Sequence, residues 1–406
     1  MKKNWLKSLG PGLLFAGAAI GVSHLVQSTR AGADFGFGLI WALLIVNLFK
    51  YPFFQFGPRY ATATGESLID GYKRLGKGVL VFYYLLTFAT MFTIQAAVTI
   101  VTAGLASHLF GITSNVTTWS IIITIICFFT LIIGKYKLLD NLIKVIIVVL
   151  TVSTLIAVSV ALFNTTASYN LTQIFPKGAM EIGFLIAFLG WMPAPLDISA
   201  WHSLWAIEKG KDSKKGFDTK QAILDFNIGY IGTVFLAICF LTLGALVMFQ
   251  SGNEFSNSAG KFAQQIIFLY TENLGSQTSI FIAIAAFTTM FSTTLTTLDA
   301  SPRAMAKTTE LLFNKTFRSN YIIWIVILSI GTMVILTYFI SNMITMIKIA
   351  TILSFLTAPF YAIANFALIS SKHTPKEWHP SISMKILSYL GIIFLIGFSI
   401  WYLLNL

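Results

Sequence analysis

Long apolar segments separated by short polar connections dominate the chain. Because a helix of about 20 apolar residues crosses the hydrocarbon core of a bilayer, each segment is a candidate membrane span. Backbone groups inside a bilayer must satisfy their own hydrogen bonds, so we expect these segments to be helices. The eleven segments lie at about residues 12–33, 37–58, 79–109, 118–134, 138–163, 182–207, 222–249, 278–299, 321–339, 343–370 and 384–404.

Two of the segments carry residues that interrupt a helix near its midpoint. Segment one has the run Gly21–His24 where a lipid-facing helix would carry leucine or isoleucine. Segment six has Pro193 and Pro195, which lack backbone donors and clash with the preceding turn. Unwound backbone at this depth is tolerated only where it is buried or lines a cavity. We therefore predict that both segments are broken at mid-membrane around a central solute site.

The two interrupted segments are five apart, which is the offset of two five-helix repeats with inverted topology. The predicted fold is therefore an all-α, LeuT-like bundle with one extra helix. The repeats would span residues 1–165 and 166–371, and the eleventh helix residues 372–406. Between segments seven and eight, residues 262–270 have helical apolar spacing. They predict a short amphipathic helix, either over the external face or as a surface element without a special role.

The net charge of +12 follows from the membrane topology rather than from nucleic-acid binding. With the N-terminus placed inside, the basic residues, Lys50 among them, are assigned to cytoplasmic ends and loops. The exceptions are Arg30, Lys177, Lys261 and Lys348. The positive-inside rule then predicts a cytoplasmic N-terminus and an extracytoplasmic C-terminus, in the inner membrane of a bacterium. The partners are the lipid bilayer and a small solute, with no nucleic acid.

Enzyme and nucleotide signatures are missing from the sequence. Only Cys127 and Cys239 occur, both inside apolar runs, which excludes a disulfide framework and a cysteine-rich metal site. The sequence also has no nucleotide-binding loop, nucleophile elbow or metalloprotease pattern. We expect a secondary transporter that uses neither ATP nor a cofactor and is not an enzyme.

The two breaks supply the candidate solute ligands. Backbone carbonyls, a hydroxyl, an imidazole and a thioether are the chemical groups on offer. The candidate residues are Gly21, Val22, Ser23, His24, Met192, Pro193 and Ala194. A histidine beside a mid-membrane break is costly unless it is used, yet His24 could also be a packed, hydrogen-bonded core residue. Met192 could equally be ordinary packing.

Three further polar residues near the breaks are candidates for gating or coupling. Arg30 could close an outer gate, attract an anion, or extend to the interface. Asp197 could be a solute ligand, a proton carrier or an inner-gate residue. His202 is expected near the cytoplasmic end as an interfacial histidine. Segment eight is rich in hydroxyls over residues 288–297, which could bond to their own helix or line a polar path.

Three stretches carry a family resemblance: the Gly10-Pro11-Gly12 start, the run over residues 27–44, and Met192-Pro193. They resemble motifs of the NRAMP family of proton-coupled divalent-metal transporters. The resemblance covers essentially the whole chain and implies eleven spans and a metal-ion solute.

The binding motifs depart from that family. Its first-span Asp-Pro-Gly-Asn motif falls on Gly21–His24, so the metal-binding aspartate is a glycine and the asparagine a histidine. In segment six Met192 matches the Met-Pro-His motif, but its histidine is Ala194. The acidic residues that the family uses for protons have no counterpart in segment three, which argues against proton coupling.

Without a carboxylate at the first break, two kinds of solute remain open. Hard divalent ions prefer oxygen ligands, so a cation would need a remodelled site with His24, Met192, Ser23 and Asp197. Alternatively, the site is neutral to positive and takes a small organic molecule or an anion. A sensor that binds without transporting is the third hypothesis.

Overall fold

The computed structural model describes residues 10–133, 136–164, 170–212, 218–249, 255–315, 319–339 and 342–405. Within these ranges the chain is a bundle of α-helices, with short π- and 3₁₀-helical pieces and no strand. The helices, numbered α1 to α15, are Pro11–Ala19, Thr29–Phe35, Ile40–Thr64, Leu68–Leu75, Lys77–Phe110, Val116–Ile132, Tyr136–Asn164, Ala179–Trp191, Ile198–Asp212, Thr219–Val247, Ala259–Leu274, Ser279–Phe313, Asn320–Val334, Met343–Ile369 and Ile382–Leu404.

Length and apolar composition qualify seven helices as membrane spans within the described residues, and the bent pair at the N-terminus makes an eighth. The shorter apolar helices are α6, α8 and residues 148–163 of α7. The prediction of an all-helical integral membrane protein is therefore confirmed. The count of eleven spans remains a prediction.

Segment one consists of two helical pieces that meet at an angle of 45°. Helix α1 ends at Ala19, and a π-helical stretch, Ser23–Ser28, leads into α2. Both pieces pack closely on α10 because the residues at the contacts are glycines, which have no side chain. A Cβ at Gly12 would lie 2.1 Å from the carbonyl oxygen of Asp225, and one at Gly32 would lie 1.9 Å from that of Leu241. Segment one is thus held on α10 on both sides of its interruption.

Segment six is also two helices, α8 and α9, joined by extended and turn residues. Its prolines explain where α8 ends. In an α-helix the carbonyl of residue i accepts from the N–H of residue i+4. The donors for Leu189 and Trp191 would be Pro193 and Pro195, which have no N–H. Helix α8 packs against α14, while α9 packs against α3, so the two halves belong to different parts of the bundle.

Helix α11 is the amphipathic helix that the sequence predicts between segments seven and eight. It buries Phe262, Ile266 and Tyr270 and packs against α5, α7 and α12. The predicted boundary between the repeats, at residues 165 and 166, lies outside the described residues.

The close approach of segment one to α10 makes a testable prediction. Gly32→Ala should lower the melting temperature of the detergent-purified protein, because the new methyl group overlaps the Leu241 carbonyl. Overpacking of this kind destabilises by about 1–3 kcal/mol. Gly232→Ala on α10 is the matched control, since no atom lies within 4 Å of its added Cβ. Equal melting temperatures for the two variants would contradict the packing described here.

Candidate functional site

A small buried cavity lies between the two interrupted segments, enclosed by α1, α5, α9 and α12. Its volume is about 20 Å³, which is room for about one water molecule. The lining is largely apolar, with two indole rings and three hydroxyls. The lining residues are Ala18, Ala19, Val22, Ser23, Ile94, Val98, Trp191, Pro195, Ile198, Trp201, Thr293 and Thr297.

Only part of the predicted site faces this cavity. Val22 and Ser23 line it, whereas Gly21 lies behind them against α12. A Cβ at Gly21 would lie 2.8 Å from Thr293 Oγ1 and 2.9 Å from its Cγ2. Thr293 therefore fills the space into which a larger side chain at position 21 would extend. The position at which the family resemblance places an aspartate has no room for a carboxylate in this arrangement.

His24 is fully buried and points toward α10. Its Nε2 lies 2.9 Å from the carbonyl oxygen of Thr233, and its Nδ1 lies 2.7 Å from Ser23 Oγ and 3.1 Å from the Ala19 carbonyl oxygen. Ser23 Oγ also donates to that Ala19 carbonyl. Both ring nitrogens thus have partners within the protein. His24 would have to leave them to bind a solute.

The predicted residues of segment six, Met192, Pro193 and Ala194, do not line the cavity. Met192 is buried, and Ser28 Oγ on the π-helical stretch donates to its sulfur at 3.7 Å. This contact joins the two interrupted segments directly. Pro193 and Ala194 are also buried, and the Ala194 carbonyl faces α3 rather than the cavity.

The residue that faces this carbonyl is Lys50, which the sequence analysis placed at a cytoplasmic end. That assignment is wrong, because Lys50 lies near the middle of α3 and is fully buried. Its Nζ donates to the carbonyl oxygens of Leu189 at 2.7 Å, Gly190 at 2.7 Å and Ala194 at 3.3 Å. A lysine this far inside an apolar segment predicts an internal partner, and this signal is present in the sequence.

Asp197 lies at the other end of the same interruption, directly before α9. It is buried, and its Oδ1 has no hydrogen-bond partner within the described residues. The interruption of segment six therefore contains two buried ionisable side chains, the basic Lys50 and the acidic Asp197.

Arg30 and His202 lie apart from the cavity. Arg30 pairs with Asp34 at 3.4 Å, and its guanidinium lies 5.1 Å from the ring centroid of Phe184 on α8. It borders a vestibule of about 590 Å³ where α2 ends. His202 is buried against Phe15, at a ring-centroid distance of 5.6 Å, and its position near the membrane interface stays a prediction.

The hydroxyls of segment eight divide between the two expected roles. Thr288 and Thr289 on α12 donate to carbonyls one turn back in their own helix. Thr297 instead donates to Gln95 Oε1 on α5 at 2.6 Å, and it lines the cavity together with Thr293. One face of α12 thus supplies part of the polar surface of the cavity.

The described residues contain no group of three or more His, Cys, Asp or Glu side chains that could hold a metal ion. Residues of both interrupted segments nevertheless face the same cavity inside the bundle.

A sequence model described as Natural resistance-associated macrophage protein-like (Nramp) matches residues 12–405. The chain belongs to the Nramp family.

Relatives and solved structures agree with this assignment. An uncharacterized protein of Pasteurella multocida (strain Pm70) is 36% identical over 413 residues, which cover 99% of this chain and 94% of that protein. A mutant of the Eremococcus coleocola manganese transporter has a TM-score of 0.73 at 14% identity, covering 98% of this chain and 87% of that one. The structure of MhsT in complex with L-phenylalanine has a TM-score of 0.65 at 13% identity, covering 98% of each chain. The family resemblance and the LeuT-like fold class are confirmed.

The contact between Gly21 and Thr293 gives a prediction about this Nramp family member. Gly21→Ala should lower the melting temperature, since its methyl group would overlap the Thr293 side chain, at a cost of about 1–3 kcal/mol. Thr293→Ala removes the two nearest atoms, so the double variant should recover most of that loss. A double-mutant cycle on melting temperature measures the coupling. Strictly additive effects would show that the two positions do not share this space.

Proposed function

We propose that this protein is a secondary transporter that carries a small solute by alternating access through the cavity between segments one and six. The observation that supports this function is the cavity itself, enclosed where two interrupted helices meet inside a bundle of the Nramp family. Interrupted helices place half-helix ends at the middle of a membrane, where transporters bind their solutes. The proposed topology has two inverted repeats, eleven spans and a cytoplasmic N-terminus.

Family membership and fold make a divalent metal ion the first candidate for the solute. Two structural neighbours are forms of a manganese transporter. In this chain such an ion would use the remodelled set of Ser23, His24, Met192 and Asp197. Its difficulty is that both nitrogens of His24 and the sulfur of Met192 already contact protein groups.

The cavity lining supports a second candidate, a small organic solute. Val22, Val98 and the indoles of Trp191 and Trp201 give it an apolar surface. The Nε1–H of Trp201 is buried and has no partner within the described residues. An unpaired donor beside apolar walls fits a solute with an apolar body and a hydrogen-bond acceptor.

In the vestibule, Arg30 is proposed as an outer gate residue. Arg30 lies on α2, where it pairs with Asp34, and its guanidinium contacts the ring of Phe184 on α8. These two helices are halves of the two interrupted segments, so a contact between them can close the path above the cavity. Asp197, at the opposite half of segment six, is proposed as a coupling or inner-gate residue.

Alternating access makes a prediction that needs no knowledge of the solute. In a background with Cys127 and Cys239 replaced by alanine, Val98→Cys should react with a membrane-impermeant thiol reagent added to either side of oriented vesicles. The cavity must open to each side in turn, because its present volume of about 20 Å³ admits no reagent. Leu328→Cys on α13 is buried away from the cavity and should react from neither side.

Proteoliposome uptake of Mn²⁺ and Mg²⁺ then separates the candidates. Saturable flux that Met192→Ala weakens would support the metal ion. No flux, together with reaction of Val98→Cys from both sides, would support the organic solute. Reaction of Val98→Cys from one side only would contradict transport and favour a sensor that binds without flux.

A further inference from the structure

We propose that Lys50 is a built-in cation at the broken segment six, so that this transporter carries a solute without a double positive charge. The inference rests on the transport function proposed above and names the class of solute. It depends on which groups of the protein contact the helix ends at the two interruptions.

The first step concerns the end of α8. The last carbonyls of a helix lack donors and carry the negative end of its dipole, which makes them a site for a cation. Pro193 and Pro195 prevent the chain from supplying the missing donors. The ammonium of Lys50, which has three donors, is within hydrogen-bond distance of three carbonyls here, those of Leu189, Gly190 and Ala194. The place where a transported cation would find oxygen ligands is therefore already filled.

The second step concerns the start of α9. The N-terminus of a helix favours an anion, and Asp197 supplies one. Lys50 and Asp197 thus place one basic and one acidic side chain, both buried, at the same interruption. A divalent cation would meet the repulsion of the ammonium and would find only one carboxylate, where hard divalent ions need several oxygen ligands.

The third step concerns segment one, where the corresponding helix end is also satisfied internally. The Ala19 carbonyl at the end of α1 accepts from the Gly21 N–H at 2.9 Å and from Ser23 Oγ. His24 Nδ1 lies 3.1 Å from the same oxygen. At both interruptions, therefore, groups of the protein occupy carbonyls that could otherwise bind a cation, namely those of Ala19, Leu189, Gly190 and Ala194. What remains open to a solute is the largely apolar cavity beside them.

The test compares Mn²⁺ binding by the purified full-length protein and by Lys50→Met, measured by calorimetry and by the shift of melting temperature. Wild type should show no saturable binding at Mn²⁺ concentrations up to about 1 mM. Lys50→Met frees the carbonyls of Leu189, Gly190 and Ala194 and removes the like charge while Asp197 remains. Its affinity for Mn²⁺ should therefore exceed that of wild type by at least about tenfold.

Two control variants separate a local effect from a change in net charge or in folding. Lys385→Met on α15 removes one positive charge from an exposed position and should leave Mn²⁺ binding as in wild type. If Lys50→Met does not purify as a folded protein, Lys50→Gln, which keeps two uncharged donors, replaces it with the same expected gain.

Saturable Mn²⁺ binding by wild type would overturn the proposal, as would a folded Lys50 variant that binds no better than wild type. Neither result bears on transport itself, which the accessibility of Val98→Cys decides separately. The two hypotheses can therefore fail independently.

Discussion

Breaking a helix inside a membrane leaves backbone carbonyls without donors, and no water is present to replace them. In this protein the cause is local, because Pro193 and Pro195 lack the N–H groups that Leu189 and Trp191 would use. Another helix supplies part of the missing donors, since the Lys50 ammonium on α3 donates to the carbonyls of Leu189, Gly190 and Ala194. An unpaired buried ammonium is itself very unfavourable, so the break and the lysine stabilise each other.

Segment one meets the same constraint with residues of its own. Ser23 and His24 lie directly after the interruption, about one turn beyond Ala19, and contact the Ala19 carbonyl, while His24 also joins the segment to Thr233 on α10. Close packing at Gly12 and Gly32 fixes the segment to α10 on either side. The two breaks therefore differ in origin, one coming from prolines and the other from side chains that compete for the backbone.

This chain has the Nramp fold but lacks a cluster of metal-ligating side chains within its described residues. The fold is that of the manganese transporters at 14% identity, with nearly the whole chain superimposed. Yet at Gly21 the space for a side chain is taken by Thr293, and the described residues hold no cluster of three metal-ligating side chains. Fold is maintained by helix packing, whereas the solute site depends on a few side chains. The bundle therefore tolerates different side chains at those few positions.

The all-helical fold class could be predicted from the sequence, because the length of an apolar run follows from the thickness of the bilayer. Pro193, Pro195 and Gly21–His24 act on the backbone locally, so they predict where helices are interrupted. The partners of those interruptions could not be predicted in this way. The partners of Lys50 and His24 lie 139 and 209 residues away, and the direction of each side chain depends on how the helices pack. For that reason the sequence does not reveal the internal partners of Lys50, and it leaves His24 open between a solute ligand and a hydrogen-bonded core residue.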